Sequence, residues 1–128
     1  MMVSHRAVLV VQNEMLEALI VEDVLAELGY DTIRKSSMKE ALDFAATGIG
    51  TIEFAIVNLT LRDGDGKQLL DGLRKRRPDL PAIITTGHAE AQVRRLFDDA
   101  PIPPIVGKPY SRDELIAAVN SLRRNVIA

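Results

Sequence analysis

Short apolar runs alternate along this chain with longer segments of helical period, and that alternation constrains the fold more than any single motif does. Ala7-Val8-Leu9-Val10-Val11 and Phe54-Ala55-Ile56-Val57 are unbroken apolar runs, as expected of strands covered on both faces. Buried strands separated by helical segments form βα units and a parallel sheet. Five strands are predicted, at Ala7–Val11, Thr32–Arg34, Phe54–Val57, Ala82–Thr85 and Ile105–Val106.

Five helices are predicted between and after them. Glu14–Leu28 carries Leu16, Leu19, Ile20, Val24 and Leu28 at helical spacing, and Gly29 follows as its C-terminal cap. Ser37–Ala46 starts on a capping serine, has Met38, Ala41, Leu42 and Ala45 on one side, and is ended by Gly48 and Gly50. Gly66–Arg76 presents Leu69, Leu70 and Leu73 and stops before Pro78, which cannot continue a helix. His88–Phe97 has only Ala89, Val93, Leu96 and Phe97 to bury and is expected to be the loosest. Ser111–Arg123 begins as a capping box, Ser111-Arg112-Asp113-Glu114, and runs through Leu115, Ile116, Val119 and Leu122.

At 128 residues and 47% hydrophobic content the chain fills one core, so a single domain over 1–128 is expected. A formal charge of −2 gives no excess of cations to draw it to nucleic acid or an anionic membrane. Arg74-Lys75-Arg76-Arg77 and Arg123-Arg124 each fall in the last turn of a predicted helix, where positive charge suits the dipole. The absence of cysteine removes disulfides, thiolate metal sites and thiol nucleophiles. No apolar stretch nears the roughly 20 residues that span a bilayer, so a cytoplasmic protein is expected.

In an open α/β sheet, chemistry gathers at the carboxyl ends of the strands. Gln12 and Asn13 follow the first run, Asn58 closes the third, and Thr86 and Lys108 follow the fourth and fifth. Asn58-Leu59-Thr60-Leu61-Arg62-Asp63-Gly64-Asp65-Gly66 resembles the phosphorylation loop of bacterial response-regulator receiver domains. Gln12-Asn13-Glu14, Thr85-Thr86-Gly87-His88 and Val106-Gly107-Lys108-Pro109-Tyr110 are similar to that family's other strand-end motifs. The match keeps its order and spacing over essentially the whole chain.

The resemblance implies a flavodoxin-like (βα)5 three-layer sandwich with a five-stranded parallel sheet. It also implies a phosphoacceptor at the position of Asn58, Mg²⁺-holding acids at Gln12 and Asn13, and phosphoryl-binding groups at Thr86 and Lys108. Phosphoryl transfer needs an anionic oxygen nucleophile and a metal that neutralises the phosphate. Amides are poor at both tasks, since Mg²⁺ is normally held by carboxylates and waters. Loss of Mg²⁺ binding and of acceptor function is therefore expected, with no cofactor and no enzyme activity. Glu14 is expected to serve the helix start instead of a metal.

Over Gln12, Asn13, Asn58, Thr86 and Lys108 the formal charge is positive, carried by Lys108 alone. Either Lys108 bonds the amide oxygens in a neutral polar network, or the pocket takes an anion; the first is preferred. Thr86 fits a switch role and a helix-capping role equally well. The family's aromatic switch position is occupied by Ile105, which has no polar tip to swing. Tyr110 is expected to pack on the surface of an output face made by Arg94, Arg95, Pro103, Pro104, Tyr110 and Arg112. His88 and His5 give no catalytic signal. Asp63-Gly64-Asp65-Gly66 begins like a calcium loop, but the twelfth position from Asp63 is Arg74, so it reads as a turn.

The function expected is that of a stand-alone receiver-like protein in a two-component or phosphorelay pathway. It would act by binding a histidine kinase, a phosphotransfer protein or an effector, with the first helix as a second docking face. The alternative is a small-anion or nucleotide sensor using the Lys108 and Thr86 pocket. A flavodoxin-like redox or hydrolytic enzyme is a third reading, opposed by the loop after the first strand, which lacks small phosphate-wrapping residues. Neither the partner nor the oligomeric state is written in the residues.

Overall fold

In a computed structural model, residues 7–98 and 101–127 are described, with the side chains of 123–127 excepted. His5 and the side chains of Arg123 and Arg124 lie outside that set. The elements in chain order are β1 (Ala7–Val11), α1 (Met15–Glu27), β2 (Asp31–Lys35), α2 (Met38–Gly48) and β3 (Ile52–Asn58). Next come β4 (Thr60–Leu61), β5 (Gly64–Asp65), α3 (Gly66–Arg76), β6 (Ala82–Thr86), α4 (Glu90–Phe97), β7 (Ile105–Gly107) and α5 (Arg112–Ile127).

The main sheet is parallel, in the order β2-β1-β3-β6-β7. Alternate residues of β1 explain the layering, because successive side chains of a strand face opposite ways. Ala7, Leu9 and Val11 join one core with α2, α3 and α4 side chains such as Ala41, Leu69 and Phe97. Val8 and Val10 join the other, with Val21, Val24 and Leu25 of α1 and Leu115, Val119 and Leu122 of α5. Two cores on one sheet make the three-layer sandwich expected from the sequence. The chain order reverses direction at β1, so the crevice beside the carboxyl end of β1 is a topological switch point.

The helix starts follow local chemistry. Ser37 Oγ accepts from Glu40 N at 3.1 Å, and Ser111 Oγ accepts from Glu114 N at 3.1 Å. Asp65 Oδ1 accepts from Gln68 N while Gln68 Oε1 accepts from Asp65 N, a reciprocal capping box. Gly29, at φ 89, takes the left-handed turn after α1. Gly48 does not end α2 as predicted: the helix includes it and tightens into a 3-10 turn, Ile49–Thr51, where Thr51 Oγ1 donates to the Gly48 carbonyl at 2.6 Å.

The face assigned to α1 by periodicity is corrected in part by the structure: Val24 is buried and Leu28 packs against the core as expected, but the other three positions are not buried. Leu16 is 77% exposed, Leu19 48% and Ile20 46%, and Met15 beside them is 65% exposed. The buried stripe is Ala18, Val21, Val24 and Leu25. Both stripes have helical spacing in a helix that is apolar almost all round, so periodicity could not choose between them. Ala18, Val21 and Val24 fit against the sheet together with Leu25, while Met15, Leu16, Leu19 and Ile20 are left outside.

Candidate functional site

The ladder brings the predicted strand-end residues together. Asn58 is in register with Thr85, and Leu59 N donates to the Thr85 carbonyl at 2.8 Å. Thr86 is in register with Gly107, and Lys108 N donates to the Thr86 carbonyl at 2.7 Å. Gln12 continues β1, with its N–H on the Lys35 carbonyl at 3.0 Å. Gln12, Asn58, Thr85 and Thr86 are all buried, so each polar group needs a partner within the protein.

Asn58 is fully engaged as an amide. Its Nδ2 donates to the Thr60 carbonyl at 2.7 Å and to Asn13 Oδ1 at 3.3 Å, while its Oδ1 accepts from Thr85 Oγ1 at 3.4 Å. The Thr60 carbonyl can only accept, which fixes which end of the amide faces it. Gln12 Oε1 accepts from Glu14 N at 3.1 Å, serving the orphan donors at the start of α1. Thr86 Oγ1 accepts from His88 N at 2.9 Å, so in this state it supports the turn leading to α4.

Lys108 makes a contact that the sequence reading missed. Its Nζ lies 2.8 Å from Oε2 of Glu17, in the first turn of α1. Among the described residues it makes no hydrogen bond to Gln12, Asn13 or Asn58. The preferred network of Lys108 with the amides is thus corrected: the amides of Asn13 and Asn58 bond each other, and the lysine pairs with a carboxylate. The lone positive charge assigned to the pocket is corrected with it, because Glu17 cancels it. In the sequence Glu17 is only one acid in the first turn of a helix, with nothing to mark it as a partner of Lys108, and Glu14, nearer the strand end, is exposed.

Tyr110 also departs from expectation. It is half-buried, packs against the α1–α5 core, and its hydroxyl is buried without a hydrogen-bond partner among the described residues. Burial, and then the negative Glu17, push its hydroxyl up to about 12, while nearby Gln12 acts the other way without an aligned bond. Tyr110 therefore belongs to the site's rim. The Lys108-Pro109 bond before it is cis.

The residues grouped as one output face differ in setting and partners. Arg94 and Arg95 are exposed on α4, with Arg94 paired to Glu90 at 3.2 Å. Arg112 instead pairs with Glu27 of α1. Pro103 is buried, and Pro104, whose carbonyl accepts from Ile84 N at 2.9 Å, lies at the opposite end of β7 from the site. Ile105 is partly buried against the α2–α4 core.

The loop after Asn58 is a short hairpin, β4–β5, that sequence reasoning took only as a turn. Asp63 leaves it to accept from Met38 N and Lys39 N, both at 2.9 Å, capping α2. Those backbone N–H groups hold its carboxyl below the usual range. Its neighbour Asp65 caps α3, so both aspartates of the calcium-like sequence are committed to helix starts. Of the basic run, Arg74 donates to the Leu80 carbonyl and Arg77 to those of Ile49 and Ile52, internal tasks at the far end of the sheet.

The donor set fits Mg²⁺ poorly. Asn13 Oδ1 and Asn58 Oδ1 both accept side-chain hydrogen bonds, Gln12 Oε1 caps α1, and Glu17 faces Lys108. Among the described residues no helix is long and apolar enough to cross a membrane.

Comparison with known proteins agrees with this architecture. The family model for the response regulator receiver domain matches residues 8–120. The chain is 31% identical over 99 residues to a sensor kinase CckA of Brucella abortus, which covers 77% of this chain but 10% of that protein. A response regulator receiver protein from Sinorhizobium medicae is similar in structure, with TM-score 0.81 and 24% identity over 92% of this chain and 94% of that one. A CheY-like receiver domain from Methanospirillum hungatei gives TM-score 0.82 and 21% identity over 94% and 96%.

Proposed function

Because the chain belongs to the response-regulator receiver family, we propose that it is a receiver domain that signals by protein contact without accepting a phosphoryl group. The observation that carries this reading is the pair of bonds donated by Asn58 Nδ2, to Thr60 O at 2.7 Å and Asn13 Oδ1 at 3.3 Å. A carboxylate has no hydrogen to give either acceptor, so the surroundings of residue 58 suit an amide. The amides at Gln12 and Asn13 likewise leave Mg²⁺ without its usual ligands, and the site carries out no turnover.

Regulation in such a domain works through binding equilibria: a partner shifts its conformation only as far as its affinities for two states differ. The exposed apolar stripe of Met15, Leu16, Leu19 and Ile20 supports α1 as the docking face for a histidine kinase, phosphotransfer protein or effector. A cytoplasmic location accompanies that reading. Incubation with acetyl phosphate and Mg²⁺, followed by intact mass measurement, tests it. No added mass is expected, and a stable phosphoryl adduct overturns the reading.

A further inference from the structure

Lys108 faces a carboxylate carried by another element, and the geometry of that contact is unusual. Nζ is 2.8 Å from Glu17 Oε2, with the two side chains only 20% and 30% exposed. The oxygen is buried, yet among the described residues it receives no aligned hydrogen bond. Charge rather than a directed bond therefore holds it beside the ammonium. The other polar groups nearby are committed elsewhere: Gln12 Oε1 to Glu14 N, Thr86 Oγ1 to His88 N, and Asn58 to Asn13 and Thr60.

We propose that Glu17 is a built-in plug, its carboxylate serving as the resident anion of Lys108 and closing the strand-end pocket to free oxyanions of the phosphate class. A free oxyanion has to displace a carboxylate tethered to the same fold, which competes as if present at an effective concentration on the order of millimolar or more. The incoming ion would also meet the charge of the displaced Glu17. The Tyr110 hydroxyl, buried beside Glu17, adds bulk on the flank of the pair. This contact closes the anion-sensing route without reference to whether residue 58 accepts a phosphoryl group.

The test titrates inorganic phosphate into the full chain and follows the backbone amide NMR shifts of Thr86, Gly87 and Lys108. The wild type is expected to show no saturable shift. Glu17→Gln removes the charge at nearly constant shape and is expected to give saturable shifts, with affinity gained by roughly tenfold or more. Adding Lys108→Ala to that variant is expected to abolish them. Saturable binding by the wild type as tight as by Glu17→Gln overturns the proposal, as does a folded Glu17→Gln that binds no phosphate. If Glu17→Gln does not fold, Glu17→Asp decides, since it withdraws the carboxylate by one methylene: weak saturable binding supports the plug, and none overturns it.

Discussion

Asn58 donates its side-chain amide to the carbonyl of Thr60, two residues further along the same chain, at 2.7 Å. The bond makes the identity of residue 58 a matter of folding as well as of chemistry. Asn58→Asp sets a carboxylate oxygen against that carbonyl and against Asn13 Oδ1, leaving part-buried acceptors without donors and a buried charge facing them. The expected loss in stability is about 1–3 kcal/mol, read from urea unfolding at neutral pH. It should shrink in acid, where a protonated carboxyl regains a donor. An aspartate variant as stable as the wild type would show that the amide environment imposes nothing.

On α1 the two stripes separate stability from binding. Leu16→Ser with Ile20→Ser alters only exposed positions, so stability should change by no more than about 0.5 kcal/mol per site. Capture of a cognate kinase or phosphotransfer partner should fall at least severalfold. Leu25→Ala, by contrast, opens the core and should cost about 2–5 kcal/mol. Partner affinity unchanged in the double serine variant, measured by titration calorimetry, would remove α1 as the docking face.

A side chain at Gly66 meets the backbone of the site. A Cβ there would sit 2.8 Å from the Asn58 carbonyl oxygen and 3.1 Å from Leu59 Cα, and Gly66 N already donates to the Leu59 carbonyl at 2.7 Å. Alanine is favoured over glycine in a helix by up to about 1 kcal/mol. This contact is with main chain that cannot swing aside, so the clash should win. Gly66→Ala is expected to be less stable by about 1–3 kcal/mol, and a rise in Tm would contradict the close approach.

Tyr110 sets the alkaline limb of the stability curve. Its folded-state value, about 12, stands above the ordinary 10.0, so its contribution is fully present below the latter and is lost as pH rises through the former. Tyr110→Phe should remove that part of the alkaline loss. Near neutral pH it should leave stability unchanged or raise it by about 1 kcal/mol, because the hydroxyl is buried without a partner. Denaturation midpoints for both proteins from pH 7 to pH 12 check the two expectations together.

Much of this fold is legible in the residues because burial on two faces leaves little freedom. β1 has the predicted bounds, while β3 and β2 extend beyond the predicted Phe54–Val57 and Thr32–Arg34, since ladder pairing carries strands past their apolar centres. The hairpin β4–β5 escaped because two-residue strands carry no period. At the site, Gln12, Asn13, Asn58, Thr86 and Lys108 do assemble, as strand order dictates. Glu17 was invisible because ion pairing between elements depends on how a helix is rotated against its sheet. The same rotation decides which stripe of α1 is buried, so one unreadable angle accounts for both misses.

Asp63 reaches from the β4–β5 hairpin to the first amides of α2, 25 residues earlier in sequence for Met38 and 24 for Lys39. The hairpin and the start of that helix consequently share a latch. Opening either one releases donors or acceptors in the other, so the two segments should exchange their amide hydrogens in a single correlated event, even though they belong to different βα units.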